Sequence, residues 1–260
     1  MTFGGHLEVL RRMFLRVLGV VVALAIVIFC LKDVAFELLL APTDNGFCLY
    51  SWIENVSSLF GVDFKFEEFS VQLVSTELAS QFMIHLTSSL YLALLLASPY
   101  MLFELFGFVA PALYEREKRY AIIVVVLVYI LFMIGVLLSY FIIFPISFRF
   151  LATYQVADTV VNTITLSSYI STFTSLTLMM ALVFQMPIIS YVLARIGVVS
   201  SRALRKYRKH AVLVIAIVSA VITPPDIMTC VLVMGPLCLL YECSVCVVAF
   251  VERKISKLDA

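Results

Sequence analysis

The sequence predicts an all-α integral membrane protein with six transmembrane helices and both termini on the cytoplasmic side. Three observations lead there. The 260 residues are 63% hydrophobic with a mean hydropathy of +1.10, against an apolar share of about 45–50% in soluble domains. The apolar residues gather into runs, most of them near the roughly 20 helical residues needed to cross a hydrocarbon core of about 30 Å. The charges fall almost wholly between these runs, with Lys and Arg concentrated on alternate connections.

Arg11, Arg12 and Arg16 precede the first run, Val17 to Leu31. A secretory signal shares that pattern, but this run is long and no small-residue cleavage site follows it. Lys32, Asp33, Glu37 and then Pro42 come instead. The run reads as a retained first helix over residues 14–38, entering from the inside. From Leu39 to Gln81 the chain is acidic, with Asp44, Glu54, Asp63, Glu67, Glu68 and Glu77 against Lys65. Tyr50 and the sole tryptophan, Trp52, suit a membrane surface there. Poor periodicity assigns this outer segment no fold.

A second helix over 82–103 returns inward and leads into Pro99–Arg119, where Pro99, Pro111 and the aromatics Phe103, Phe106 and Phe108 precede the polar knot Glu115 to Arg119. Half apolar and half charged, this stretch reads either as a solvated amphipathic connector or as a docking surface in the inner interface. The third helix, 120–144, is expected to end at Phe144-Pro145. The fourth, 168–194, is dense in hydroxyls in its first half, from Ser168 to Thr177; small hydroxyl residues let backbones approach closely or line a polar groove. A basic connection follows, with Arg195, Arg202, Arg205, Lys206, Arg208 and Lys209. The fifth run, 210–223, reaches only about 21 Å and falls short of the core thickness. The sixth, 227–250, is interrupted by Gly235-Pro236. The whole is one membrane domain over residues 1–260. Six spans with both ends inside put fifteen of the eighteen Lys and Arg on the inner face, leaving Lys32, Lys65 and Arg149 outside.

The sequence carries no Walker-type loop, no HExxH and no Gly-x-Ser-x-Gly. No enzyme activity, cofactor, metal or nucleic-acid partner is expected. Five of the six cysteines lie in apolar helical runs and read as small buried hydrophobes; His6, His85 and His210 are scattered. Polar groups at membrane depth are costly and usually have a task. Gln185, before Met186-Pro187, marks an expected kink and is either a helix-packing amide or a groove residue. Asp226, after Thr223-Pro224-Pro225, either caps the sixth helix or meets substrate. On the inner face Glu8, Glu104, Glu115 and Glu117 are the carboxylates ahead of the C-terminal tail. Arginine pairs best with such groups through its planar fork, unless Arg11, Arg116 or Lys118 already occupies them.

These motifs together resemble the TatC family, the receptor subunit of the twin-arginine protein translocase. The resemblance rests on His6-Leu7 with Leu10-Arg11, on Pro99 to Glu104 leading into Phe108 to Tyr114, and on Glu117. It continues through Tyr140-Phe141 and Phe144-Pro145, Phe184 to Pro187, and Thr223 to Asp226. It implies a cup-shaped six-helix protein of the cytoplasmic (inner) membrane that binds the twin-arginine signal peptides of folded cargo. It further implies an oligomeric complex with TatA- and TatB-type single-span partners, driven by the proton-motive force. By motif match and proximity it assigns signal binding to Glu117, Glu8, Arg11 and Glu104. Gln185, Asp226, Pro225 and Pro145 take translocation or structural roles. Two departures stand out. Val9 holds the N-terminal glutamate position, with Glu8 one place earlier and so turned by about 100°; Gln185 replaces an acid often found there. A small secondary transporter with Gln185 on its path is the alternative, though no internal repeat supports it.

Overall fold

The computed structural model describes residues 3–44, 46–50, 52, 54, 71–109, 118–155, 157 and 162–258. Helices account for most of them: α1 (Phe3–Cys30), α2 (Lys32–Leu40), α3 (Ser80–Val109), α4 (Lys118–Leu138), α5 (Phe144–Thr153), α6 (Leu166–Val183), α7 (Met186–Arg195), α8 (Ser201–Lys206), α9 (Arg208–Ile222) and α10 (Ile227–Leu258). Among the described residues, extended pairing is confined to one isolated parallel bridge, Val74 with Thr165. Five segments are long and apolar enough to cross a membrane: Leu7–Cys30, Ser80–Leu105, Val124–Thr153, Leu166–Arg195 and Ile227–Lys254. At fifteen residues α9 spans about 22 Å, short of a full core.

Local chemistry explains where the helices break. The 14–38 run is two helices, because at Leu31 (φ −99°, ψ 42°) the chain tightens before α2 restarts. The Leu31 amide still reaches the Val27 and Ile28 carbonyls at 3.2 and 3.0 Å, so the break preserves backbone pairing. Pro99 lies inside α3 and has no amide for the Leu95 carbonyl. The Ser98 hydroxyl donates to that carbonyl instead, at 2.7 Å.

The helix expected to stop at Phe144-Pro145 continues as α5. A π turn, Ser139–Ile143, widens the backbone just ahead of the proline, which then falls in the first turn of α5, where its missing donor costs little. The interruption expected near Pro187 falls at Phe184-Gln185. There the Gln185 amide bonds Leu182 O, and its carbonyl accepts from Ile188 and Ile189, each at 3.0 Å.

The chain forms two compact units. The first comprises Met1–Asp44, Phe69–Ile130 and Thr163–Thr174. In it α1 runs antiparallel to α3: Phe29 stacks on His85 (centroids 4.0 Å apart, planes 9°) and meets Phe82 edge-on, while Arg16 reaches Glu104 toward the other end. Ala35 and Leu39 of α2 are buried, and the Leu39 carbonyl accepts the Tyr169 hydroxyl at 2.9 Å. Buried Ser88, Ser89, Ala93 and Ala97 give α3 a small-residue face.

The second unit comprises Asn45–Glu68, Leu131–Asn162 and Ser175–Ala260. Two helices approach closely at Gly135, where an added Cβ would lie 2.9 Å from Ala181 Cα. One turn on, the buried hydroxyls of Ser139 and Thr177 bond at 3.2 Å, so the hydroxyl-rich helix serves close approach here. Val233, Leu237, Val245 and Val248 of α10 are fully buried, and Ala194, Val248 and Val251 form a core joined by Tyr191 and Leu204. Tyr50 lies under the Arg149 guanidinium (5.0 Å) and donates to Pro145 O at 3.3 Å. Burial pushes its hydroxyl pKa up, against the opposing pull of Arg149, so it stays a donor.

Candidate functional site

Four carboxylate and arginine positions were expected to bind a basic signal, and they fare differently. Glu117 lies outside the described residues, with Pro111, Glu115 and Arg116. Glu8 and Arg11 stand exposed on α1. Glu8, Arg12 and Arg16 are spaced i, i+4, i+8 and so share one helix face. Arg12 Nη2 meets Glu8 Oε1 at 2.5 Å, with the side chains 72% and 63% exposed. A pair so solvated contributes only about 0.3–0.5 kcal/mol, and an incoming cation displaces it easily.

Glu104 is the better-built acid. Its side chain is only 13% exposed, and Arg16 Nη1 lies 3.2 Å from Oε1. The Tyr100 hydroxyl, one helical turn back, donates to the same oxygen at 2.9 Å. Nothing among the described residues bonds Oε2. Glu104 is therefore a fixed carboxylate with one oxygen spoken for and one available to a further guanidinium or amide donor. Exposed Phe103 and Leu105 flank it, an apolar rim suited to the hydrophobic part of a bound segment.

The residues expected to have structural or translocation roles all act on the backbone. The Gln185 side chain turns back to Ala181 O at 3.4 Å. Pro145 follows the π turn, and its carbonyl takes the Tyr50 hydroxyl. Exposed Pro225 shapes the turn before α10. Asp226 Oδ1 accepts the Thr229 amide at 2.6 Å, the geometry of a helix cap. Ser219, Thr223 and Thr229 are buried close to it in the chain, and Ser219 Oγ lies 3.3 Å from Cys230 Sγ.

Sequence reasoning missed Arg16 and Tyr100 as partners of Glu104. The i, i+4 spacing of Tyr100 and Glu104 was a readable signal; the pairing with Arg16 depends on how α1 and α3 align. It read Glu242 as a packed or solvated acid of the last helix without a partner, and left Glu252 unassigned: Glu242 Oε2 takes Arg208 Nη2 at 2.6 Å, and Glu252 takes the Ser201 amide and hydroxyl. All six cysteines are free thiols, and among the described residues no three His, Cys, Asp or Glu gather as metal ligands.

Comparison with known proteins places this geometry in a family. The model of the family TatC, Sec-independent protein translocase protein, matches residues 5–236. The TatC protein of Blattabacterium sp. subsp. Periplaneta americana is 31% identical over 258 residues, covering 98% of this chain and 97% of that one. The TatC protein of Carboxydothermus hydrogenoformans is 31% identical over 255 residues, covering 98% and 95%. A crystal structure of the twin-arginine translocase receptor TatC superposes with a TM-score of 0.74 at 29% identity, covering 95% of this chain and 99% of that one. The chain belongs to the TatC family of Sec-independent protein translocase proteins.

Proposed function

We propose that this chain is the receptor subunit of a twin-arginine translocase. It is a multi-pass protein of the inner membrane that binds twin-arginine signal peptides of folded proteins for export driven by the proton-motive force. The observation that carries this reading is the family match across residues 5–236. The fixed, half-satisfied carboxylate of Glu104 beside an apolar rim agrees with it. In this reading α9 is a short fifth span among six and both termini are cytoplasmic, a topology supported by the segregation of Lys and Arg. The working complex is oligomeric and includes TatA- and TatB-type single-span proteins.

Recognition is a carboxylate problem on a basic membrane face. Glu117, by motif match, takes the first guanidinium. Glu104 offers Oε2 to a second donor, and Glu8 contributes less because its register is displaced. A charge-assisted contact of this kind is worth about 1.5–3 kcal/mol, or about ten- to hundredfold in affinity. Glu117→Ala is expected to weaken signal-peptide binding at least tenfold, with the protein still inserted and still holding its small partners. Binding of arginine-pair and lysine-pair signals to the purified wild type and variant tests this. If Glu117→Ala discriminates the two signals as well as the wild type does, the primary contact lies elsewhere.

A further inference from the structure

The segment after α7 builds a ledge across the end of α10. Ser200 caps α8 by accepting the Ala203 amide at 3.2 Å. Ser201 donates its amide (3.0 Å) and its hydroxyl to Glu252. Leu204 packs on Ala194, Val248 and Val251, and its carbonyl takes the Tyr241 hydroxyl at 2.7 Å. Six residues could not hold a helix in water alone; here α10 pins it. The two carboxylates on this part of α10 are thereby occupied, Glu252 by Ser201 and Glu242 by Arg208.

What the ledge carries outward is positive. Arg202, Arg205, Lys206 and Lys209 are all exposed, and none has a carboxylate partner among the described residues. Arg202 and Arg205 stand three residues apart in α8, and Lys209 follows across the Tyr207 break in the first turn of α9. Beside them, in the connection from α7, Ile196 and Val198 are 65% and 68% exposed. Unneutralised cations next to outward apolar side chains fit one setting well: apolar groups in the acyl boundary with guanidinium and ammonium groups at phosphate level.

We infer that this ledge is a binding site for the phosphodiester headgroup of an anionic phospholipid. The arginine forks match phosphate oxygens in pairs, while Lys206 and Lys209 supply point charge. A soluble acidic peptide would answer the charges but leave Ile196 and Val198 bare, which favours the lipid. The inference does not depend on how signals are read.

The full-length protein is reconstituted in phosphatidylcholine nanodiscs doped with phosphatidylglycerol, and retained lipid is measured by native mass spectrometry. Each basic residue at an anionic surface adds about fivefold in affinity. The triple variant Arg202→Gln, Arg205→Gln, Lys206→Gln is therefore expected to lose phosphatidylglycerol retention by more than about tenfold. Lys32→Gln leaves it unchanged. Arg202→Lys with Arg205→Lys keeps the charge but loses the paired forks, and its retention is expected to fall between wild type and the triple variant, which separates charge from folding. Retention by the triple variant equal to wild type overturns the inference. So does full displacement of the lipid by inorganic phosphate, which would mark a free-anion site. A triple variant that keeps its lipid but loses signal-peptide binding would mark a peptide surface and overturn it as well.

Discussion

Gly135→Ala adds one methyl group where α4 and α6 approach closely. The new carbon would lie 2.9 Å from Ala181 Cα and 2.9 Å from Met180 O, where carbon contacts settle at about 3.5–4.0 Å. Both obstacles are backbone atoms, so no rotamer change relieves them; the helices must part by several tenths of an ångström. That separation stretches the Ser139–Thr177 hydroxyl pair, now at 3.2 Å, toward the limit of hydrogen bonding. Overpacking costs about 1–3 kcal/mol, and loss of the buried hydrogen bond adds about 1 kcal/mol. The better helix propensity of alanine returns about 1 kcal/mol. The net loss of about 1–3 kcal/mol should lower Tm by about 2–10 °C in a chain of this size. Gly19→Ala is the matched control, because its Cβ would meet nothing within 4 Å, and it should leave Tm unchanged or raise it. Circular dichroism melts of the purified proteins in one detergent make the comparison. Gly135→Ala melting at or above Gly19→Ala would refute the close-contact reasoning.

Three more expectations come from single hydrogen bonds. Ser98→Ala should destabilise by about 1–3 kcal/mol by orphaning the Leu95 carbonyl, whereas Ser98→Ala with Pro99→Ala should recover most of it, since residue 99 regains an amide; additive losses in the unfolding cycle would exclude this. Asp226→Ala should cost about 0.5–2 kcal/mol as a lost cap and Asp226→Asn much less, with faster hydrogen exchange at the Thr229 amide as the local readout. Tyr50 titrates above the ordinary tyrosine value of about 10. The unfolded chain therefore ionises first, and the stability present below about pH 10 drains away as pH rises toward the folded-state value; Tyr50→Phe should flatten that alkaline loss in denaturant titrations.

Composition and charge placement made the membrane fold legible, because lipid permits little but helices and the inner face collects Lys and Arg. Local rules located the Gln185-Met186-Pro187 interruption. They misled at Pro145: a π turn can carry a helix past a proline, and nothing in Ser139–Ile143 announces one. The break at Leu31 has neither proline nor glycine to mark it. The site divided along the same line. Glu104 stood out as a carboxylate near a motif, and Tyr100 sits one turn away, within reach of a spacing rule. Its ion pair with Arg16 joins residues far apart in the chain, and its existence follows from side-chain register between α1 and α3, which no local pattern encodes. The contact of Tyr169 with Leu39 is invisible to sequence for the same reason.

The seating of α1 on α3 has a mechanical consequence. Phe29 against His85 and Arg16 against Glu104 are two bearings on one rod, about 20 Å apart at 1.5 Å per residue. Beyond the second bearing, Arg11 and Glu8 ride on an overhang that reaches about 12 Å past Arg16. A rod held this way amplifies slack: if the Arg16–Glu104 bearing shifts by about 1 Å about the aromatic one, the tip at Glu8 swings by about 1.6 Å. The Arg16–Glu104 contact thus sets where Glu8 stands from a distance, and loosening it blurs the position of the whole N-terminal turn of α1.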